Sequence, residues 1–455
     1  MSSDKKSAPA QTAKLAEIIC AKTYDALDND AVAAVKRLIM DGVAVAIAGT
    51  AEDAPKIYAA HVRDGGGSAQ STVWGFDYKT TASGAAYANA VSMHVLDFEP
   101  MSSPPTHAVS PVVPVALAIA EAHGCDGRAV IAACAKGFEI QGRILGAAKP
   151  ARGALPFHSP GVMGPMGSAV AAAHLLKLDA TQFANALGMA SSRCAGLPAN
   201  SGSMVKCTHC GNAAQAGLEA ALLAARGFAA NPGIFEAKHG YVQTFFAAHF
   251  DYDVLFEFGQ PWRCVEPGMA IKFYPSKYPT HFAITAALEA RKTINDIAQI
   301  KSVRIVSPEI LDANRPQPRV GLEGKFSIQY AAAAALLDGA VGIRTFSDER
   351  RFAADMVDLL GKIALQFDAS IPPDTKNMHM TVEVTLNDGS MHKGICKKPP
   401  GTWGLPVDAA QHRAKIRDCL NVRFDAAKTD RVIESFENID KLNAQQLGAL
   451  LALLA

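Results

Sequence analysis

Met380-Thr381-Val382-Glu383-Val384-Thr385-Leu386 alternates apolar and polar side chains and runs directly into Asn387-Asp388-Gly389-Ser390. A period of two is the pattern of a half-buried strand. Asp-Gly is a hairpin dipeptide, because a tight two-residue turn needs positive φ. Met391 to Cys396 is therefore expected to be the partner strand. Upstream, Lys301-Ser302-Val303-Arg304-Ile305-Val306 also alternates and is rich in β-branched residues, so it reads as a strand. Between these strands, Ile328 to Leu337 and Arg351 to Leu365 carry helical patterns. Pro399-Pro400-Gly401 and Pro406 punctuate the end of the segment. An α+β unit is thus expected over roughly 271–404.

Outward from this unit, both chain ends read as helix. About the first 250 residues are rich in alanine, the best helix former. Apolar residues recur at helical spacing in Ala31 to Ala48, Val112 to Ala122, Arg128 to Leu145, Ser168 to Leu178 and Ala213 to Gly227. Gly49, Gly124 and Gly227 end three of these runs. Asp179 to Thr181 reads as a loop and N-cap before a helix from Gln182 to Ala190. Helical patterning returns from Ala409 to Ala455. The expected fold is mainly α with an inserted α+β domain. Residues 1–270 and 405–455 form one helical domain, and 271–404 lie between them.

Composition narrows the function. The chain has 455 residues, of which 49% are hydrophobic and 19% charged, so it can bury a large core without disulfides or a structural metal. Lys plus Arg is 44 and Asp plus Glu is 43, a formal charge of +1. That balance argues against a nucleic-acid partner, which needs a basic excess. Nine cysteines are scattered from Cys20 to Cys419, an odd number without the density of a secreted disulfide framework. Met1 to Lys14 is polar and lacks the apolar stretch of a signal peptide, and is expected to be a flexible tail. No run is long enough to span a membrane; Pro111 to Ala120 is too short and meets Glu121. A cytoplasmic protein with no membrane association is expected.

Four stretches concentrate chemistry beside proline and glycine. Asn89 to Pro100 contains His94, Asp97 and Glu99, and continues through Pro104-Pro105-Thr106-His107. Its prolines force an irregular loop, a common seat for catalytic groups; alone, Asp97 and Glu99 read more simply as a solvated helix end. Pro156-Phe157-His158-Ser159-Pro160-Gly161 sets a histidine before the Gly-rich entry to a helix, where it would face an anion. A surface-loop histidine is an equally good reading. Lys206-Cys207-Thr208-His209-Cys210 contains Cys-x-x-Cys, but no second ligand pair for zinc follows. The context is also helical rather than thioredoxin-like. Lys206, His209 and Cys210 share a helix face instead. Lys272-Phe273-Tyr274-Pro275-Ser276-Lys277-Tyr278-Pro279-Thr280-His281 lies where the two domains join, a preferred place for ligand sites. A basic linker is its bland alternative.

Taken together, these stretches resemble the MmgE/PrpD family, which includes 2-methylcitrate dehydratase, cis-aconitate decarboxylase and iminodisuccinate epimerase. The resemblance starts at Asp41-Gly42-Val43-Ala44-Val45-Ala46-Ile47-Ala48-Gly49. It runs through the four stretches to Lys325-Phe326-Ser327-Ile328-Gln329-Tyr330 and Leu337-Asp338-Gly339. It implies a homodimer with a site between the two domains and no metal or organic cofactor. Asp97, His107, His158, Lys206, Lys272 and Tyr330 match the family's catalytic positions, with His209, Lys277 and His281 as substrate-binding candidates. Where relatives often read Asp-Phe-Asp-Asp-Thr, this chain has Asp97-Phe98-Glu99-Pro100-Met101, so Met101 replaces a hydroxyl. Ser276-Lys277-Tyr278 stands where relatives often have Cys-Cys-Arg.

The function this resemblance implies is a cofactor-independent lyase on a small di- or tricarboxylate. Family chemistry breaks a bond beside a carboxylate and puts charge onto it, which lysines and protonated histidines stabilise. Asp97 is expected to orient and charge His107. A 2-methylcitrate-type dehydratase leads, with a cis-aconitate-type decarboxylase, a proton-abstracting epimerase or isomerase, a non-catalytic binding protein and an iron–sulfur hydratase as alternatives.

Overall fold

The computed structural model describes residues 10–148, 155–246 and 250–455. The start of the polar N-terminal segment lies outside them. Its remainder is not a tail: Gln11–Ala21 is a helix with Leu15, Ala16 and Ile19 buried. Thr12 Oγ1 donates to Glu236 Oε2 at 2.5 Å and fixes its start. Three apolar residues on one helical stripe outweigh the polar composition around them.

The helical part is built on Asn29–Gly49, Ala82–His94, Val109–His123, Gly127–Ala147, Ser159–Leu175, Ala180–Ser191 and Val205–Ala225. Asp28, Thr81, Asp126 and Asp179 cap four of them by accepting a backbone N–H of the first turn. The helix expected from Ser168 starts earlier, at Ser159, and takes in the glycine-rich stretch. Pro160 occupies its first turn, where a missing N–H costs nothing. Small residues there let Ser159–Leu175 lie close along Val205–Ala225. A Cβ on Gly217 would stand 2.5 Å from the Pro165 carbonyl oxygen. The chain end returns to this body as Ala409–Leu420, Ala426–Glu437 and Ala444–Ala452, capped by Asp408, Asp425 and Asn443.

Six strands complete the described residues. The short β1 (Ser71–Thr72) and β2 (Lys79–Thr80) pair antiparallel in the helical part. β3 (Ile300–Ser307), β4 (Ile363–Phe367), β5 (Met380–Leu386) and β6 (Met391–Cys396) form a sheet in the order β4-β3-β5-β6. β5 and β6 are the hairpin around Asp388-Gly389, with Val382 opposite Gly394. Gly394 is required there: a Cβ would stand 2.0 Å from the Ala286 carbonyl oxygen of the covering helix Tyr278–Arg291. Arg351 to Leu365, expected as one helix, is instead the helix Ala354–Leu360, Gly361 and then β4. β4 pairs parallel with β3. Its five residues, Ile363-Ala364-Leu365-Gln366-Phe367, suit either state, and a free sheet edge decides for strand.

Two large hydrophobic cores result, beside two small clusters. One runs from Leu15 to Ile271 and resumes at Ile416. The other runs from Tyr278 to Cys396 and takes in Met101 and Ala270. Among the described residues, no helix is long and apolar enough to cross a membrane.

Candidate active site

The site grows from the end of the helix Ala82–His94. The turn after His94 brings Asp97 into the left-handed region at φ 52°, which aspartate tolerates better than most residues. Pro100 stops any return to helix, and Met101 pairs with Ala270 through two backbone hydrogen bonds of 2.8 and 2.9 Å. Phe98 belongs to the first core and Met101 to the second, so the loop is pinned to both.

Asp97 is 3% exposed and sits between two lysines. Lys206 Nζ donates to Oδ2 at 2.7 Å. Lys272 Nζ donates to Oδ1 and, at 2.9 Å, to the Asp97 carbonyl. Burial opposes the charge on Asp97, but Lys206 and Lys272 outweigh it and hold the carboxyl well below the usual range. Lys206 Nζ also reaches His94 Nε2 at 3.2 Å, and His94 Nδ1 meets Glu99 Oε1. That network makes His94 a neutral tautomer protonated on Nδ1. Burial, then the Lys206 charge, pushes His94 down to about 3.

Glu99 is fully buried, not a solvated helix end. Its Oε1 accepts from Ser110 Oγ at 2.8 Å. It also lies 2.9 Å from His107 Nδ1, in ion-pair contact but off hydrogen-bond alignment. His107 Nε2 is 3.9 Å from Asp97 Oδ1. Glu99, rather than Asp97, therefore lies closest against His107. His158 Nδ1 and His209 Nδ1 are 2.9 Å apart. Burial and then Lys206 push both below the ordinary histidine value. The His94 and His107 rings sit 4.3 Å apart, and His158 is 5.7 and 5.9 Å from them.

A cleft of about 360 Å³ opens onto this cluster, lined by His94, Asp97 and Lys206 from the helical part and Phe326 and Phe346 from the inserted part. The structure thus brings Asp97, His107, His158, Lys206, His209 and Lys272 together. It does not bring Lys277, His281 and Tyr330 into the same group. Lys277 is paired with Asp312. His281 stands behind Lys272, its Nε2 3.3 Å from the Ser276 carbonyl that Lys272 also reaches. The Tyr330 hydroxyl donates to the Thr345 carbonyl at 2.5 Å, and its ring lies tilted against Phe346 with centroids 5.9 Å apart. In each case a local partner on the inserted part holds the side chain.

Sequence reasoning gave no role to three groups that belong here: His94, Glu99 and Lys325. Lys325 is 2% exposed, with Nζ 3.5 Å from the Val95 carbonyl and no carboxylate in ion-pair contact among the described residues. Burial lowers its pKa. His94 and Glu99 carried a signal, since both lie within the stretch around Asp97; Lys325 carried none beyond its place before Phe326.

Ring nitrogens of His94, His107 and His158 lie within 4.8 Å of one another, as do donor atoms of Asp97, Glu99 and His107. A cation at either set would meet the ammonium groups already held on Asp97, which disfavours it electrostatically. All nine cysteines are free, and none joins these sets.

Comparison with known proteins agrees along the chain. Residues 13–253 match the MmgE/PrpD N-terminal domain and residues 274–441 the MmgE/PrpD C-terminal domain. Cis-aconitate decarboxylase of Homo sapiens is 30% identical over 423 residues, 90% of this chain and 87% of that protein. Cis-aconitate decarboxylase of Mus musculus is 29% identical over 421 residues, 90% of this chain and 86% of that protein. Cis-aconitate decarboxylase of Aspergillus terreus (strain NIH 2624 / FGSC A1156) is 25% identical over 472 residues, 97% of this chain and 95% of that protein. With both of its domains matched in order around a cleft that opens between two cores, the chain belongs to the MmgE/PrpD family.

Proposed function

We propose that this protein is a cofactor-independent lyase that removes carbon dioxide from a small tricarboxylate of the cis-aconitate type. The observation that carries the reading is the buried cluster itself: three lysines and a set of neutral imidazoles around Asp97 and Glu99. The relatives named cis-aconitate decarboxylase support the choice of reaction over the dehydratase expectation. So does Met101, which is buried against the second core and offers no hydroxyl to a leaving group.

The retained carboxylates of such a substrate need cations. Lys206 and Lys272 already share Asp97, whereas Lys325 has no carboxylate in ion-pair contact among the described residues and is available. The carboxylate to be lost is placed toward Asp97 and Glu99, where like charge and low dielectric destabilise it. Its carbon–carbon bond breaks, carbon dioxide leaves, and the electron pair passes into a conjugated carboxylate as an enediolate-like species. An ammonium group stabilises that charge. An imidazolium N–H then delivers a proton to carbon. His94 and His158 begin neutral, and the incoming carboxylates supply the negative charge that lets an imidazole take up a proton. Turnover requires neither metal nor organic cofactor, and the enzyme works as a homodimer in the cytoplasm.

Proton NMR of the purified protein with cis-aconitate, 2-methylcitrate, citrate and malate in deuterated water tests this. Loss of one carboxylate from cis-aconitate with deuterium on carbon, unchanged in chelator, is the expected result. A new alkene from 2-methylcitrate with cis-aconitate untouched makes it a dehydratase. Deuterium exchange without net loss makes it an epimerase or isomerase.

A further inference from the structure

The stretch beginning at Asp41 has no part in the site described above, yet it holds a buried charged group. Asp41 is fully buried in the helix Asn29–Gly49, with His412 and Lys415 of the C-terminal helix Ala409–Leu420 packed on it. His412 Nε2 meets Asp41 Oδ2 at 2.8 Å. Lys415 Nζ lies 2.9 Å from both Asp41 oxygens. The same ammonium donates to the Phe98 carbonyl at 3.0 Å and sits 4.2 Å from the centroid of the Phe98 ring.

Phe98 is the residue between Asp97 and Glu99. Two successive carbonyls of this loop are thus each held by a buried lysine, Asp97 by Lys272 and Phe98 by Lys415. Lys272 already contacts the Asp97 side chain, but Lys415 touches neither site carboxylate. Its reach is to the peptide that sets their relative direction. A left-handed aspartate has no regular hydrogen-bonding pattern to keep it there, so an external clamp on the next carbonyl determines where Asp97 and Glu99 point.

We infer that Asp41, His412 and Lys415 form a positioning relay that locks the Asp97–Phe98–Glu99 loop in its working geometry. It makes the C-terminal segment part of the active enzyme rather than only of its core. The inference rests on the reading of Asp97 and Glu99 as site residues. Lys415 is the positioning residue, Asp41 orients it, and His412 orients Asp41.

The test is steady-state kinetics with cis-aconitate on Asp41→Asn/Lys415→Met, which removes both charges together and leaves neither buried alone. A displacement of this kind costs about 10²-fold in rate. The expected result is a kcat lower by about that factor with KM within about threefold, and recovery of most of kcat in Lys415→Arg, which keeps a donor to Phe98. A folded double variant with the kcat of the unaltered protein overturns the relay. If the double variant does not fold, His412→Leu leaves the Asp41–Lys415 pair in place. It should lower kcat several-fold at unchanged KM, and His412→Gln should restore it. Equal rates for those two variants and the unaltered protein overturn it as well. Histidine ¹³Cε1 NMR gives a readout independent of turnover. The His94 and His107 signals, assigned by single substitutions, should move in the double variant, or in His412→Leu if that is the one that folds. Unmoved signals refute the relay even if no acid is turned over, and absent turnover with moved signals refutes only the choice of substrate.

Discussion

At the scale of single residues, the site is a contest between burial and pairing. Burial works against every charge in it. Asp97 and Glu99 nevertheless stay ionised, because lysines and imidazole N–H groups face them. The imidazoles lose the same contest: no acid is left over to pay for a second positive charge. Glu99 is the hinge of this arrangement, since one of its oxygens meets His94, Ser110 and His107. Glu99→Gln would keep the shape but place an amide against imidazole N–H groups and disturb their tautomers. The expected outcome is a fall in kcat of about 10³-fold, comparable to amide-for-carboxylate exchange beside a working imidazole. Steady-state kinetics alongside a melting curve would check it. A kcat within threefold of the unaltered protein would remove Glu99 from the site.

At the scale of elements, what positions Lys206 and His209 is the close seating of their helix, Val205–Ala225, on Ser159–Leu175. Gly217 permits it: an added methyl would stand 2.4 Å from Ser168 Cβ and 2.5 Å from the Ala169 nitrogen. Backbone cannot yield as a side-chain tip can. Gly217→Ala should therefore destabilise by about 1–3 kcal/mol, the usual cost of overpacking. It should also reduce activity, because both site residues ride on the displaced helix. Gly448 is the matched control. It lies inside the helix Ala444–Ala452 with nothing within 4 Å of an added Cβ. Gly448→Ala should stabilise by up to about 1 kcal/mol through helix propensity alone. Denaturant titration of the two variants distinguishes the mechanisms, and equal effects would contradict the packing argument.

For the molecule as a whole, the neutral buried histidines make stability depend on pH. His94 and His281 are both pushed down to about 3, by burial first and then by Lys206 and Lys272 respectively. In the unfolded chain a histidine titrates near 6.5. Between those values the unfolded state binds protons that the native state refuses, so stability rises with pH through the window and is lost on acidification. The cost is on the order of 1 kcal/mol for each such histidine at pH 5.5, and vanishes above about pH 7.5. Asp97 and Glu99 are also held low, but their contribution is lost only as pH falls below the ordinary carboxylate range, about pH 4.5, so they leave this window to the histidines. Melting temperature should fall by a few degrees from pH 7.5 to 5.5, and His281→Asn should flatten the slope. A flat profile in the unaltered protein would mean these histidines are charged in the native state.

Much of this was legible in the chain itself. The hairpin at Asp388-Gly389 and the alanine-rich helices announced themselves, because turn chemistry and apolar period are local properties. So did the clustering of Asp97, Lys206 and Lys272 in stretches rich in proline and glycine, through their likeness to a family pattern. The strand Ile363–Phe367 and the early start of the helix at Ser159 were not legible, because a sheet edge and a neighbouring helix decided them from outside the segment. Nor was the partition of the candidates. Tyr330, Lys277 and His281 carry the right chemistry for the site, but each is held by a nearer partner. Conversely, Glu99 looks like a solvated acid in sequence and is among the most buried groups in the fold. Which residue types were available, and most of which segments would be helix or hairpin, followed from the chain alone, since backbone preference and turn geometry act over a few residues. Which charges face one another was settled by the packed fold, because burial and Coulomb interaction depend on distance in space, not on separation along the chain.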